Sequence, residues 1–182
     1  MKLQIAVIGS AGPEEYGYAK PNEKMYETAE KLGADLAKKS CIVLTGGKGG
    51  IMIAAAKGAK KADGITAGEV SGINRGTANK YVDVEIVTGD SAFRGPSQLI
   101  GMCDGVIAIG GGAGTLQELA VAYRLRKPVV LITGYGGWVD KIAEMDYMDE
   151  RQSIRFLAVS SAEDAVDKLL KKLAPKASKY RP

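Results

Sequence analysis

Residues 105–118, GVIAIGGGAGTLQE, run from an apolar stretch through a cluster of glycines into the start of a helical pattern. A strand that is apolar on both faces has to be covered on both sides, which is typical of parallel sheets in α/β proteins. The glycines allow the chain to turn tightly between the strand and the helix. This stretch therefore predicts one strand–loop–helix unit of an α/β fold.

The same alternation recurs along the chain. Apolar, β-branched runs predict strands over 3–8, 42–44, 65–70, 82–87, 105–109, 128–132 and 156–159. Helical spacing of apolar residues predicts helices over 22–39, 51–61, 97–103, 115–125, 137–145 and 162–173. The predicted fold class is α/β, a Rossmann-like open parallel sheet of about seven strands with helices on both faces. We expect a single Rossmann-like domain over residues 1–174 and a basic tail over residues 175–182.

Composition excludes several kinds of catalytic site. The chain of 182 residues contains no histidine and two cysteines, so it has no Ser-His-Asp or Cys-His machinery, no His-ligated metal and no four-thiolate cluster. No metal site is predicted. Cys41 and Cys103 lie far apart beside apolar runs, and we interpret them as buried thiols rather than as a disulfide or a redox pair.

The charge distribution argues against a nucleic-acid partner. The net charge is +4, but the last twelve residues contain five cations and no acid, so the rest of the chain carries +4 − 5 = −1. The basic pI thus belongs to the tail, which is weak support for a nucleic-acid surface. No stretch has the roughly 18 apolar residues of a membrane helix. We expect a cytoplasmic protein without a membrane partner.

Two glycine loops each follow a strand and precede a helix. Such loops bring backbone N–H groups against an anion at the positive end of the helix. The first loop does not fit a Walker A motif, because Gly49 follows Lys48, and neither loop has the third glycine of a dinucleotide fingerprint. Glycines here could also serve the tight turn alone, but two such loops favour a phosphorylated ligand. The predicted binding residues are Gly46, Gly47, Gly50, Gly111, Gly112, Gly114 and Thr115.

Two charged residues next to these loops are candidates for catalysis. Glu118 lies one turn inside the helix that the second loop opens, where its carboxylate can face the ligand. An alternative is a capping box, in which Thr115 and Glu118 merely satisfy backbone N–H groups; the pattern recurs at residues 160–163 without a glycine loop. Arg94 stands just before a predicted helix, where it could hold a phosphate or remain a solvated surface charge.

Several of these elements together resemble a known family. They are Thr45-Gly46-Gly47-x-x-Gly50-Ile51-Met52, Asn79-x-Tyr81-Val82-Asp83, Thr88-Gly89, Arg94 and Gly111-Gly112-x-Gly114-Thr115-x-x-Glu118. The set resembles the LOG-like family, formerly labelled "possible lysine decarboxylase", and within it the branch close to molybdenum cofactor carrier proteins. The likeness covers about residues 2–170.

The resemblance implies a function. LOG enzymes cleave the N-glycosidic bond of nucleoside 5′-monophosphates, releasing a free base and ribose 5-phosphate, and their catalytic Arg and Glu correspond to Arg94 and Glu118. No cofactor is implied, and nothing in the sequence indicates a pyridoxal phosphate lysine. Gly110 and Gly95 depart from the LOG pattern as in the carrier branch, where the pocket holds a pterin phosphate without turnover. A homo-oligomer, dimer or tetramer, is also implied.

Overall fold

The computed structural model describes residues 1–12, 21–89 and 95–177, and these form a layered α/β fold. The strands are β1 Gln4–Gly9, β2 Ile42–Thr45, β3 Ile65–Val70, β4 Val84–Val87, β5 Gly105–Ile109, β6 Val129–Ile132 and β7 Leu157–Val159. The helices are α1 Glu23–Lys38, α2 Gly50–Lys61, α3 Gly95–Met102, α4 Ala113–Arg124, α5 Gly137–Ala143 and α6 Ala162–Ala177. The predicted α/β class is therefore confirmed.

All seven strands are parallel, in the order β4-β3-β2-β1-β5-β6-β7. The chain first builds outward from β1 to β4 and then resumes on the other side of β1 with β5. In such open sheets the ligand crevice lies at the carboxyl ends of the strands where the order reverses. The reversal here falls between β1 and β5, the strand that precedes the second glycine loop.

Two apolar layers cover the sheet. One buried cluster joins α1, α2 and α6 to the first face, with Leu32, Ile51 and Leu169 among its members. The other joins α3, α4 and α5 to the opposite face, with Ile100 and Leu119 among its members. Strand β5 contributes to both clusters and is buried along its whole length, as expected for a strand that is apolar on both faces.

Local signals explain where several helices begin. The side chain of Asn22 accepts a hydrogen bond from the backbone N–H of Met25 at 2.8 Å and so caps α1. Helix α6 is capped by Ser161, whose Oγ accepts from the N–H of Asp164 at 3.1 Å. The box predicted over residues 160–163 is therefore shifted by one residue, because the cap is Ser161 and its partner is Asp164.

The thiols of Cys41 and Cys103 are free and both residues are buried, which confirms their interpretation as buried thiols. Helix α6 extends to Ala177 and so enters the segment expected to be a tail. Within the described residues, no helix has the length and apolar character needed to cross a membrane.

Candidate functional site

Both glycine loops meet at Ser10, directly after β1. The N–H of Ser10 donates to the carbonyl of Ile109 at 3.2 Å, and its own carbonyl accepts from the N–H of Ile51 at 3.0 Å. Its hydroxyl accepts from the N–H of Gly111 at 2.9 Å. One residue thus ties the start of α2 and the loop before α4 to the carboxyl end of the central strands.

The first glycine loop is held in place by its own turn and by Asn79. Gly47 and Gly50 have φ of +68° and +59°, which favour glycine. A Cβ on Gly50 would lie 2.2 Å from the carbonyl oxygen of Ser10, so the close contact also requires glycine. The Asn79 side-chain amide donates to the carbonyls of Gly47 and Lys48 at 3.2 and 2.9 Å. Asn79, in the long loop before β4, therefore holds two carbonyl groups of the first glycine loop in place.

The second glycine loop is fixed by the helix that follows β6. The N–H groups of Trp138 and Val139, at the start of α5, donate to the carbonyls of Gly111 and Gly110 at 2.9 and 3.2 Å. Gly111 has φ of +92°, and a Cβ there would meet Oγ1 of Thr115 at 2.3 Å. Because the carbonyls are bound by α5, the peptide planes of this loop are oriented by the fold itself.

The starts of α2 and α4 leave backbone donors without side-chain caps. Their N-caps are Gly49 and Gly112, and neither makes a side-chain capping bond. At α4, Gly112, Ala113 and Gly114 are all exposed. The first N–H groups of a helix lack intrahelical partners and carry the positive end of the helix dipole. This arrangement suits an anionic group at the start of α4.

The predicted binding residues divide into two groups by their surroundings. Gly47, Gly50, Gly111 and Thr115 are buried, and they shape the loops. Gly46 is half-buried, while Gly112 and Gly114 are exposed at the helix start. Arg94 lies outside the described residues.

Glu118 does not act as a helix cap. The N-cap of α4 is Gly112, so Thr115 lies within the first turn and Glu118 lies six residues after the cap, whereas a capping box needs a spacing of three. The capping-box alternative is therefore wrong. The helix begins two residues earlier than predicted because the glycine loop itself provides the cap.

The carboxyl group of Glu118 has an unusual environment. The residue keeps a partly exposed surface, but burial by the surrounding protein raises the pKa of its carboxyl to about 8, with a further contribution from the negative charge of Glu69. Burial raises a carboxyl pKa because the charged form loses its hydration. At neutral pH Glu118 is therefore predominantly protonated and can donate a proton.

Glu69, which lies in β3, is not among the residues predicted from the sequence. It is 7% exposed and is the one charged side chain among the buried residues of the described ranges. Burial raises the pKa of its carboxyl, while a hydrogen bond from Thr88 Oγ1, at 3.1 Å, and the charge of Lys48 act in the opposite direction. An alternating strand pattern gives no reason to expect a carboxylate at this buried position. Ser10 was missed too, although it follows β1 just as the glycine loops follow β2 and β5.

The described ranges contain no group of three or more His, Cys, Asp or Glu residues that could hold a metal ion. Helix-start N–H groups can bind an anion, and the neutral carboxyl group of Glu118, on the same helix α4, can supply a proton.

Comparison with known proteins gives relatives of two kinds. The cytokinin riboside 5′-monophosphate phosphoribohydrolase of Mycobacterium tuberculosis is 26% identical over 182 residues, with 91% of this chain and 97% of the relative covered. The structure of the molybdenum cofactor binding protein of Rippkaea orientalis matches with a TM-score of 0.79 and 30% identity, over 96% of this chain and 98% of that one. The molybdenum cofactor carrier protein of Chlamydomonas reinhardtii also matches at 0.79 and 30%, over 96% and 99%.

A family model described as the SLOG cluster4 family matches residues 2–166. Its span contains β1 to β7, both glycine loops and Glu118. Together with the phosphoribohydrolase and carrier relatives, this match confirms the resemblance seen in the motifs. The chain belongs to the SLOG cluster4 family.

Proposed function

We propose that the protein is a LOG-like phosphoribohydrolase that cleaves the N-glycosidic bond of a purine nucleoside 5′-monophosphate, yielding free base and ribose 5-phosphate. The observation that carries the proposal is Glu118, a carboxyl group with a pKa of about 8 on the helix that the second glycine loop opens. A proton donor near neutral pH, close to an anion-binding helix start, is what removal of a base from a phosphorylated ribose needs.

The phosphate would bind at the start of α4. Ala113 and Gly114 are exposed residues whose N–H groups lie in the first turn of a helix that has no side-chain cap. The first glycine loop lies on the other side of Ser10. In this proposal the buried glycines and Thr115 maintain the loop shape, while Gly46, Gly112 and Gly114 approach the ligand. Arg94, which corresponds to the catalytic Arg of the LOG enzymes, would orient the phosphate or help the base to leave.

The reaction consumes one water molecule. The bond between the base nitrogen and C1′ breaks, and the electron pair leaves with the base. Glu118 gives its proton to that base, and water adds to the electron-poor C1′ and loses a proton, which restores the acid. Protonating the leaving group contributes about a hundredfold or more to the rate in general acid catalysis.

A second candidate is a carrier that holds a phosphorylated pterin or a nucleotide without turnover. Its support is the match of 30% identity and TM-score 0.79 to the carrier protein of Chlamydomonas reinhardtii, together with Gly110 at the start of the second loop, where LOG enzymes have proline. The anion site at α4 serves both candidates, so turnover distinguishes them. For either candidate we propose a cytoplasmic homo-oligomer, a dimer or a tetramer.

The Glu118→Gln variant tests the hydrolase. The wild-type protein is incubated with AMP, GMP and an N6-substituted AMP, and chromatography follows free base and ribose 5-phosphate. We expect release by the wild type and a loss of about a hundredfold or more in the variant, with ligand affinity kept within a few-fold. The control is Glu144→Gln, which makes the same substitution at an exposed position at the C-terminal end of α5.

Two results would contradict this proposal, the first for the role of Glu118 and the second for hydrolysis itself. Base release that persists in Glu118→Gln would remove Glu118 from the mechanism. No release from any nucleotide by the wild type, combined with thermal stabilisation by a nucleotide or a pterin phosphate, would favour the carrier.

A further inference from the structure

Ser10 uses a different atom for each of its contacts around the site. Its N–H and its carbonyl bind the end of β5 and the start of α2, whereas its hydroxyl oxygen accepts from the N–H of Gly111 in the second glycine loop at 2.9 Å. The two backbone contacts depend only on the path of the chain. The contact with the second glycine loop is therefore the one that requires a hydroxyl side chain.

The hydroxyl helps to hold one peptide unit of that loop from both sides. The N–H of the unit, on Gly111, donates to Ser10 Oγ, and the carbonyl of the unit, on Gly110, accepts from the N–H of Val139 at 3.2 Å. The N–H and C=O of a trans peptide point in opposite directions, so the unit spans the space between Ser10 and the start of α5. Because glycine has the widest backbone freedom, these contacts select the orientation of the unit.

The orientation of this unit determines where the next backbone donor points. The carbonyl of Gly111 accepts from the N–H of Trp138 at 2.9 Å, so it faces α5. The N–H of the same peptide unit belongs to Gly112 and points the opposite way. Gly112 is exposed and is the N-cap of α4. Its N–H is thus directed away from α5, at the helix start where the phosphate is proposed to bind.

Close packing beside Gly110 gives an independent observation on the same contact. A Cβ on Gly110 would lie 2.7 Å from Ser10 Oγ and 3.0 Å from Cε of Met25. Met25 is buried, so the hydroxyl and the thioether together fill the space on this side of the loop. Removing the hydroxyl would open that space and leave the N–H of Gly111 without its acceptor.

We propose that Ser10 is a positioning residue of this site, whose hydroxyl holds the second glycine loop in the orientation that presents the Gly112 N–H to the phosphate. The inference rests on the proposed function for the identity of the ligand, and it deepens that function by assigning the preorganisation of the binding loop to the residue after β1. Donors that are oriented before binding increase affinity, because less flexibility is lost when the ligand binds. Ser10 acts through Gly111 and itself need not touch the ligand.

Ser10→Ala removes the hydroxyl and keeps both backbone contacts. In calorimetric titration with ribose 5-phosphate, we expect this variant to bind about fivefold more weakly than the wild type, the effect of one ordinary hydrogen bond. Ser10→Thr keeps the hydroxyl and should bind within about twofold of the wild type. Hydrogen exchange followed by NMR should find the N–H of Gly111 protected in the free wild type, and about tenfold less protected in Ser10→Ala.

Thr133→Val is the matched control. Thr133 directly follows β6 as Ser10 follows β1, but its hydroxyl donates to the carbonyl of Val159 at 3.0 Å instead of binding a glycine loop. Each of the two variants removes one hydrogen bond of a hydroxyl group after a strand, so both should lower the free energy of unfolding by similar amounts. Thr133→Val should nevertheless bind ribose 5-phosphate within about twofold of the wild type. A role of Ser10 in stability alone would give the two variants equal affinities.

Unchanged affinity in Ser10→Ala, or an equal loss in Thr133→Val, would overturn the inference. Should Ser10→Ala fail to fold, the wild type still provides a test, because rapid exchange of the Gly111 N–H in the free protein would show that the hydroxyl does not hold the loop. No saturable binding by the wild type would also overturn the inference, even if base is released from a nucleotide. If binding depends on Ser10 but the wild type releases no base, the inference stands and the proposed hydrolysis fails.

Discussion

The free energy of unfolding should fall by about 4 kcal/mol between pH 5 and pH 8, and most of this loss should disappear in Glu118→Gln. The cause is the pKa of Glu118, which is raised to about 8 in the folded protein from an ordinary value of 4.5. A carboxyl group with a higher pKa in the folded state binds its proton preferentially there. Stability is therefore greatest below the unfolded pKa and declines as pH rises toward 8, by about 1.4 kcal/mol per pH unit for one group.

The amino-acid composition makes the effect of Glu118 on stability easy to detect between pH 5 and pH 8. The chain has no histidine, the side chain that ordinarily titrates between pH 5 and pH 8. The carboxyl groups whose pKa is lowered, such as Glu30 and Asp83, change charge below this range and affect stability only in acid. Burial raises the pKa of Glu69 as well, so any contribution from Glu69 has the same sign and remains in the variant.

Urea unfolding at half-unit steps of pH measures this effect. Glutamine mimics the neutral acid, so Glu118→Gln should match the wild type near pH 5 and exceed its stability near pH 8. The exposed-site control Glu144→Gln should keep the wild-type slope. A wild-type curve that is flat over this range would show that Glu118 is ionised at neutral pH and cannot be the proposed acid.

Gly33→Ala should destabilise the protein by about 3 kcal/mol, at the upper end of ordinary overpacking. Gly33 lies in α1 where α2 crosses it, and a Cβ there would be 1.9 Å from the carbonyl oxygen of Ala55. On the other helix, a Cβ at Gly58 would be 1.8 Å from the carbonyl oxygen of Glu30. Since the obstructing atoms are backbone, a side-chain rotation cannot relieve the clash and the helices have to separate.

Gly101→Ala is the matched control for this variant. Gly101 lies near the end of α3, is exposed, and has open space for 4 Å around the position that an alanine Cβ would take. Alanine is favoured over glycine in helices by about 0.5–1 kcal/mol, so this change should be neutral or stabilising. Chemical denaturation of both variants tests the close crossing of α1 and α2. Equal free energies of unfolding for Gly33→Ala and the wild type would contradict it.

The fold could be predicted because its signals are local. Apolar runs such as residues 105–109 and helical spacing within 22–39 identify the elements, and β5 and α1 lie close to those bounds. The strand predicted from residue 82 begins instead at Val84, because the N–H of Val82 closes a turn onto the carbonyl of Asn79. That turn depends on the long loop before β4, whose conformation the apolar pattern does not encode.

The site could be predicted only in part because its key contacts are between distant residues. The glycine loops could be predicted because each of them lies between a predicted strand and a predicted helix. Glu69 could not be predicted, since its importance comes from the effect of its negative charge on Glu118, which lies 49 residues further along the chain. The capping-box alternative for Glu118 looked reasonable in sequence because the spacing fits. It fails because α4 begins at Ala113, after a glycine cap.

Calorimetric titration with ribose 5-phosphate tests whether the start of α4 binds the phosphate of a ribose phosphate. The decisive variant is Gly114→Asp, because Gly114 is exposed with open space around its Cβ position. Aspartate in the first turn favours the helix, so the variant should fold while its charge repels a phosphate. Gly101→Asp adds the same charge to α3 in equally open space. We expect saturable binding by the wild type and by Gly101→Asp, and an affinity at least tenfold weaker, a loss of about 1.4 kcal/mol, in Gly114→Asp. Equal affinity in Gly114→Asp and the wild type, or no binding by the wild type, would contradict it.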